Sequence, residues 1–104
     1  MSRPLPQLIC RVEDTFVIPR RGLVLCPDAE VPEGVTIRRG DPVELRTPDS
    51  RTTQTRIRAI EILTPNPKRI LPMILEAPLT KDDVPVGSEI WTRPRAIDEP
   101  QRSL

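Results

Sequence analysis

The stretch VTIRRGDPVELRTP, residues 35–48, sets Arg38, Arg39, Gly40, Asp41 and Pro42 between two short β-branched runs. Gly40 allows the backbone angle that a tight turn needs, and Asp41 and Pro42 are turn formers. The stretch therefore reads as strand, turn, strand: VTI (35–37), then VELR (43–46). A second turn, TPDSR (47–51), leads into TTQTRIRAIEIL (52–63), the longest clean strand pattern in the chain. Arg56 and Arg58 share one face of it, while Ile57 and Ala59 take the other.

Toward the N-terminus, LICRVEDTFVI (8–18) is a strand with Ile9, Arg11 and Glu13 on one face and Cys10 and Val12 on the other. Its alternation slips near Asp14 and Thr15, which a bulge would explain. PRRG (19–22) turns, and LVLC (23–26) returns as a short, fully buried strand. PDAEVPEG (27–34) is a loop or irregular edge, because Pro27 and Pro32 forbid a central strand position. Toward the C-terminus TPNPKR (64–69) loops, and ILPMILEA (70–77) is a strand with Pro72 near its start. Residues 89–91 make a last short strand. TKDD (80–83) suits one helical turn, with Thr80 as cap and Asp83 at its third position.

Fourteen prolines in 104 residues chop the chain into short pieces and nearly exclude a helical protein. Phe16 and Trp91 are the only aromatic residues, so the core must be built from Ile, Leu and Val. Six or seven short strands with many turns predict an all-β fold, a small closed antiparallel β-barrel, because closure removes aggregation-prone edges. The barrel domain is expected over residues 8–93, between flexible tails at 1–7 and 94–104. Pairing 8–18 with 22–26 around the turn at 19–21 puts Cys26 opposite about residue 14, four residues from Cys10. At ~3.3 Å per residue that is on the order of 13 Å, beyond the ~7 Å Cα limit for a disulfide, so both thiols are expected reduced.

In this order three pieces resemble the second, β-barrel domain of elongation factor Tu and related translation GTPases. They are RRGLVL after the first strand, GVTIRRGDPVEL in the middle, and TRIRAIEIL with ILPMILEAPLTKDDVPVGSEIW at the end. The matching positions are Arg21, Gly22, Gly34, Gly40, Glu44, Ile60, Glu61, Val84 and Gly87, spread over about residues 8–92. The chain departs from the family pattern at CPDAEVPEG and TPNPKRI, both loops. The resemblance implies the barrel and not the GTPase. No G-x-x-x-x-G-K-[ST] phosphate loop is present, so no nucleotide partner is carried over.

The chain has no histidine, which removes the commonest general base and the imidazole metal ligands. Cys10 and Cys26 lack a His partner, and adjacent carboxylates such as Glu13-Asp14 point to opposite faces of a strand. The expectation is a protein that is not an enzyme and uses no cofactor or metal. A net charge of +1 gives no global field toward nucleic acid or an anionic membrane. No apolar run approaches the ~20 residues that span a bilayer, and the start lacks an apolar signal core, so a cytoplasmic location is expected.

The candidate binding residues are Arg20, Arg21, Arg38, Arg39, Arg56, Arg58 and Trp91. Turn arginines can converge on a phosphate or carboxylate through forked hydrogen bonds. They are equally explained as solvated residues interleaved with Glu30, Glu33, Asp41, Glu44 and Asp49. Trp91 reads either as a partner anchor or as a cap on one end of the core. The function expected is a non-catalytic adaptor that binds another protein. The alternative is RNA binding, such as the aminoacyl end of a transfer RNA, through the arginine turns.

Overall fold

The first strand pattern is realised as β1, Leu8–Ile18, in a computed structural model that describes residues 5–61 and 70–93. It is followed by β2 (Gly22–Pro27), β3 (Pro42–Arg46), β4 (Thr52–Ile60), β5 (Met73–Leu75) and β6 (Glu89–Thr92). These strands close into an antiparallel barrel in the order β1-β2-β5-β4-β3-β6. The fold class is therefore the expected one. The barrel closes because β6 pairs with β1 on one edge and β3 on the other.

The β1–β2 hairpin has the anticipated register, Asp14 opposite Cys26, and both thiols are free. Its turn is closed by Arg21 N–H donating to Ile18 C=O at 2.9 Å. Three bulges modify the expected alternation. On β1 the register shifts at Glu13 and again at Ile9. As a result Ile9 and Cys10 are both buried, although neighbours on a regular strand would face opposite ways. On β4 the extra residue is Arg58, so Ile60 and not Ala59 follows Ile57 toward the core.

VTI at 35–37 is not a strand. Val35 N–H donates to Pro32 C=O in a turn, and the residues run irregularly with Val35 and Ile37 buried. Together with Val31 they plug the end of the barrel that the 28–41 crossover spans. The 76–88 crossover spans the other end, with Val84 buried and Leu79 packed on the core. The strand expected at 70–77 shortens to Met73–Leu75. Pro72 has no N–H to donate, although its carbonyl accepts from Glu61 N–H at 2.7 Å. The loop read at 64–69 and residues 62–63, 1–4 and 94–104 lie outside the described residues.

TKDD does form one 3-10 turn, Lys81–Asp83. The Asp83 carboxylate accepts from the Thr80 N–H at 2.8 Å and the Thr80 hydroxyl at 3.0 Å. These two bonds hold the Asp83 pKa below the usual carboxylate range.

Between β3 and β4, Pro48, Asp49 and Ser50 make a three-residue hairpin loop in which Ser50 has φ of +70°. That position favours glycine, since an L side chain there costs about 1–2 kcal/mol. Glycine gives back roughly 0.5–1 kcal/mol in backbone entropy. Ser50→Gly is therefore expected to raise the stability by about 0.5 kcal/mol, read as a higher urea midpoint at unchanged slope.

Candidate functional site

Arg38, Arg39, Gly40 and Asp41 form a turn locked from both directions. The Asp41 carboxylate accepts from Arg38 N–H at 2.8 Å, and Asp41 N–H donates to Arg38 C=O at 3.1 Å. Gly40, at φ +92°, supplies the angle. The turn lies against β4, with Gly40 N–H donating to Ile57 C=O at 2.7 Å and Ile57 N–H to Asp41 C=O at 3.0 Å. Arg56 reaches back across it to the Gly40 carbonyl at 3.1 Å.

The other arginine turn meets the same stretch of β4. Arg58 donates to the Arg21 carbonyl at 2.6 Å, and Arg21 pairs with Glu61 at 2.5 Å. The 38–41 turn lies beside β4 on its β3 side, and β2 stands two places away on the other side, beyond β5. Arg56 and Arg58 thus tie the two arginine turns to β4, one on each side of it, rather than gathering all six arginines at one point. Arg20, Arg38 and Arg39 are exposed on those turns, and their guanidinium groups engage no partner among the described residues. The exposed Arg21–Glu61 pair contributes at most about 1 kcal/mol.

Trp91 is elsewhere and is not part of the core. It lies half-buried on β6, flanked by Leu8 of β1 and Glu44 of β3. The Arg46 guanidinium covers its ring at 4.3 Å, and its indole N–H donates to Glu89 at 2.9 Å. Arg46 also bonds Glu44 at 2.5 Å, the main reason the Glu44 carboxyl is held below its usual range. Trp91 is occupied within this network.

Two features escaped the sequence reading. Phe16 is 46% exposed and Val17 61% exposed, side by side on the β1–β2 hairpin. Phe16 sits opposite Val24, on the outward side, and Val17 sits opposite Leu23, on the inward side. The run Phe16-Val17-Ile18 breaks alternation just before the turn, and that was the available signal. The second feature is a cavity of about 370 Å³ between β2 and the chain after β5, lined by Gly22, Leu23, Arg58 and residues 74–80. A smaller hollow of about 250 Å³ lies near Gln7, Asp41 and Arg93, below the ~300–1,000 Å³ usual for ligand sites. Among the described residues no group of three or more His, Cys, Asp or Glu is placed to hold a metal, and no helix is long and apolar enough to cross a membrane.

The cysteines differ in environment. Burial, with a smaller contribution from the Asp28 charge, pushes the Cys10 thiol up to about 12. Cys26 is half-exposed and raised less deeply by burial and by Asp14. Iodoacetamide is expected to label Cys26 first, and Cys26→Ser to abolish that fast phase. The folded Cys10 value lies above the unfolded value of ~8.5. Its contribution to stability is thus complete below about pH 8.5 and is lost as pH rises toward 12. A Cys10→Val variant is expected to show a flatter decline of urea midpoint above about pH 9 than the wild type.

Compared with protein-family models and with curated proteins, the chain matches none.

Proposed function

We propose that the protein is a non-catalytic protein-binding module, a barrel of the translation-factor type, that docks through its β1–β2 hairpin. The observation that carries this reading is the display of Phe16 and Val17 on that hairpin. In a chain with two aromatic residues, withholding one from the core costs stability that a partner contact would restore. Phe16 and Val17 lie on the two faces of the hairpin end, next to the turn that carries exposed Arg20 and Arg21, so an apolar contact there would have a polar edge. The translation-factor resemblance is supported by the barrel and by one contact within its motifs. Arg21 and Glu61, 40 positions apart, form an ion pair.

The test is capture from native lysate by the tagged chain, with and without ribonuclease, beside a Phe16→Ser, Val17→Thr double variant. Proteins that persist after nuclease and disappear with the variant are the expected result. Equal capture by the variant overturns the hairpin reading.

RNA binding is the second reading, favoured by the two arginine turns that Arg56 and Arg58 link to β4. Its aromatic platform is limited to Phe16 beside the Arg20–Arg21 turn, since Trp91 is on β6 and stacked by Arg46. RNA recovery that falls steeply with salt, and with Arg20, Arg38 and Arg39 replaced by alanine, would establish it in place of the first.

A further inference from the structure

We propose that the edge of β1 at its hairpin end pairs with the same edge of a second copy of this chain, antiparallel about a two-fold axis at Val17. This names an occupant for the docking hairpin and rests on that reading. β6 accompanies β1 from Leu8 to Arg11, and Gly87 and Ser88 bond Val12. Beyond Val12 no strand among the described residues lies on that side of β1. Two bonds show which backbone groups face it. Thr15 N–H donates to the Asp14 carboxylate at 2.8 Å, and Thr15 C=O accepts from the Lys81 ammonium, so neither belongs to the β1–β2 ladder. Backbone groups alternate sides along a strand, which turns the N–H and C=O of Val17 the same way. No described residue bonds them on that edge, and the Val17 side chain is 61% exposed.

The register follows by elimination. Val17 can exchange both of its bonds only with a residue whose own N–H and C=O are free on this edge. Thr15 is engaged by Asp14 and Lys81, and Pro19 has no N–H. Val17 of a second copy remains, and the two residues exchange one bond in each direction, an isologous contact. The same register sets Phe16 beside the partner's Ile18, in the pairing that brings side chains closest, so both exposed apolar residues are covered. It also sets Asp14 opposite the partner's Arg20. Both are exposed; the Arg20 guanidinium has no partner among the described residues, and one oxygen of Asp14 is left over from its bond to Thr15. Charge played no part in the elimination, yet acid meets base at both ends of the contact. Lys81 bounds the free edge at Thr15 and Pro19 bounds it at the turn, so the ladder is confined to Phe16–Ile18. An interface this short buries less than the ~1,200 Å² of a standard one, and the dimer is weak, with a Kd on the order of 100 μM.

The test uses the full chain. Sedimentation equilibrium from about 10 μM to about 1 mM is expected to show monomer and dimer in exchange, with the Val17 amide of nitrogen-15-labelled chain shifting over the same range. Val17→Pro removes the bridging N–H and none that β2 uses, and is expected to abolish the dimer. Asp14→Arg and Arg20→Asp each put like charges opposite one another and are expected to associate about tenfold more weakly. Arg20 has φ of +70°, an angle that aspartate tolerates, and a dispersed amide spectrum checks the fold of each variant. An equal mixture of these two variants pairs every acid with a base again and is expected to restore association to near the wild-type level. A chain that stays monomeric at about 1 mM overturns the proposal. So does a dimer that Val17→Pro leaves unchanged, or a mixture that associates no better than either variant alone. Lysate capture that depends on Phe16 and Val17 by a chain that stays monomeric removes this inference and leaves the docking reading standing.

Discussion

Replacing Ile57 with alanine is expected to cost about 3 kcal/mol of folding stability, within the 2–5 kcal/mol usual for a buried Ile→Ala change. Ile57 has no solvent exposure, and its strand is paired on both sides. Its backbone bonds Gly40 and Asp41 on one side, and its position faces Leu75 on the other. The neighbours have little freedom to collapse into the space left, because they belong to a closed barrel with no loose edge to move inward. For a chain of this size such a loss lowers the melting temperature by more than about 10 °C. Urea unfolding checks it: the midpoint should fall with the slope unchanged. A loss under about 1 kcal/mol would mean that Ile57 is not at the centre of the core. The neighbouring Arg58→Ala change is the control. It removes an exposed side chain and is expected to stay within about 0.5 kcal/mol of wild type, which makes it usable in binding experiments.

The same strand shows what was legible in the residues and what was not. Pro19 and Gly22 bracket a turn, so the register of β1 on β2 followed from counting, down to Asp14 facing Cys26. Where two strands are neighbours in sequence, turn chemistry sets their pairing. The slip in alternation near Asp14 and Thr15 did mark the bulge that lies at Glu13, but those at Ile9 and Arg58 left no such mark. A bulge inserts one residue and reverses the inside and outside of all that follows, yet any residue type can occupy it. VTI at 35–37 shows a different limit. Two β-branched residues flanking a polar one look alike whether they line a strand or plug a barrel end from a loop. Composition cannot separate those cases; the hydrogen bond of Val35 to Pro32 does.

The candidate site follows the same logic. Each arginine turn was identifiable from its own residues, and Arg56 and Arg58 from their shared face. Their meeting was not, because it depends on β2 standing two places from β4 through β5. That arrangement rests on long-range pairing, for which the sequence carries no local mark. Trp91 misled for a related reason. As one of two aromatics it was a natural core residue, but β6 faces Ile90 inward and so turns Trp91 out, under Arg46.

The second large effect is expected at Gly22, where β2 begins. Its φ of +119° lies well beyond the left-handed pocket near +60° that other residues tolerate. An alanine Cβ would meet the Ile74 side chain at 3.7 Å, which is ordinary contact, so the cost is one of backbone and not of space. Holding an L residue there costs on the order of 1–3 kcal/mol, and Gly22→Ala should lower the urea midpoint accordingly. Gly40→Ala makes the comparison, because its φ of +92° is nearer the tolerated range and nothing lies within 4 Å of the added atom. A smaller loss is expected there. If the two variants lose equal stability, the φ difference is not what sets the cost. If Gly22→Ala loses none, the turn relaxes to another angle, and the Ile18–Gly22 pair must shift with it.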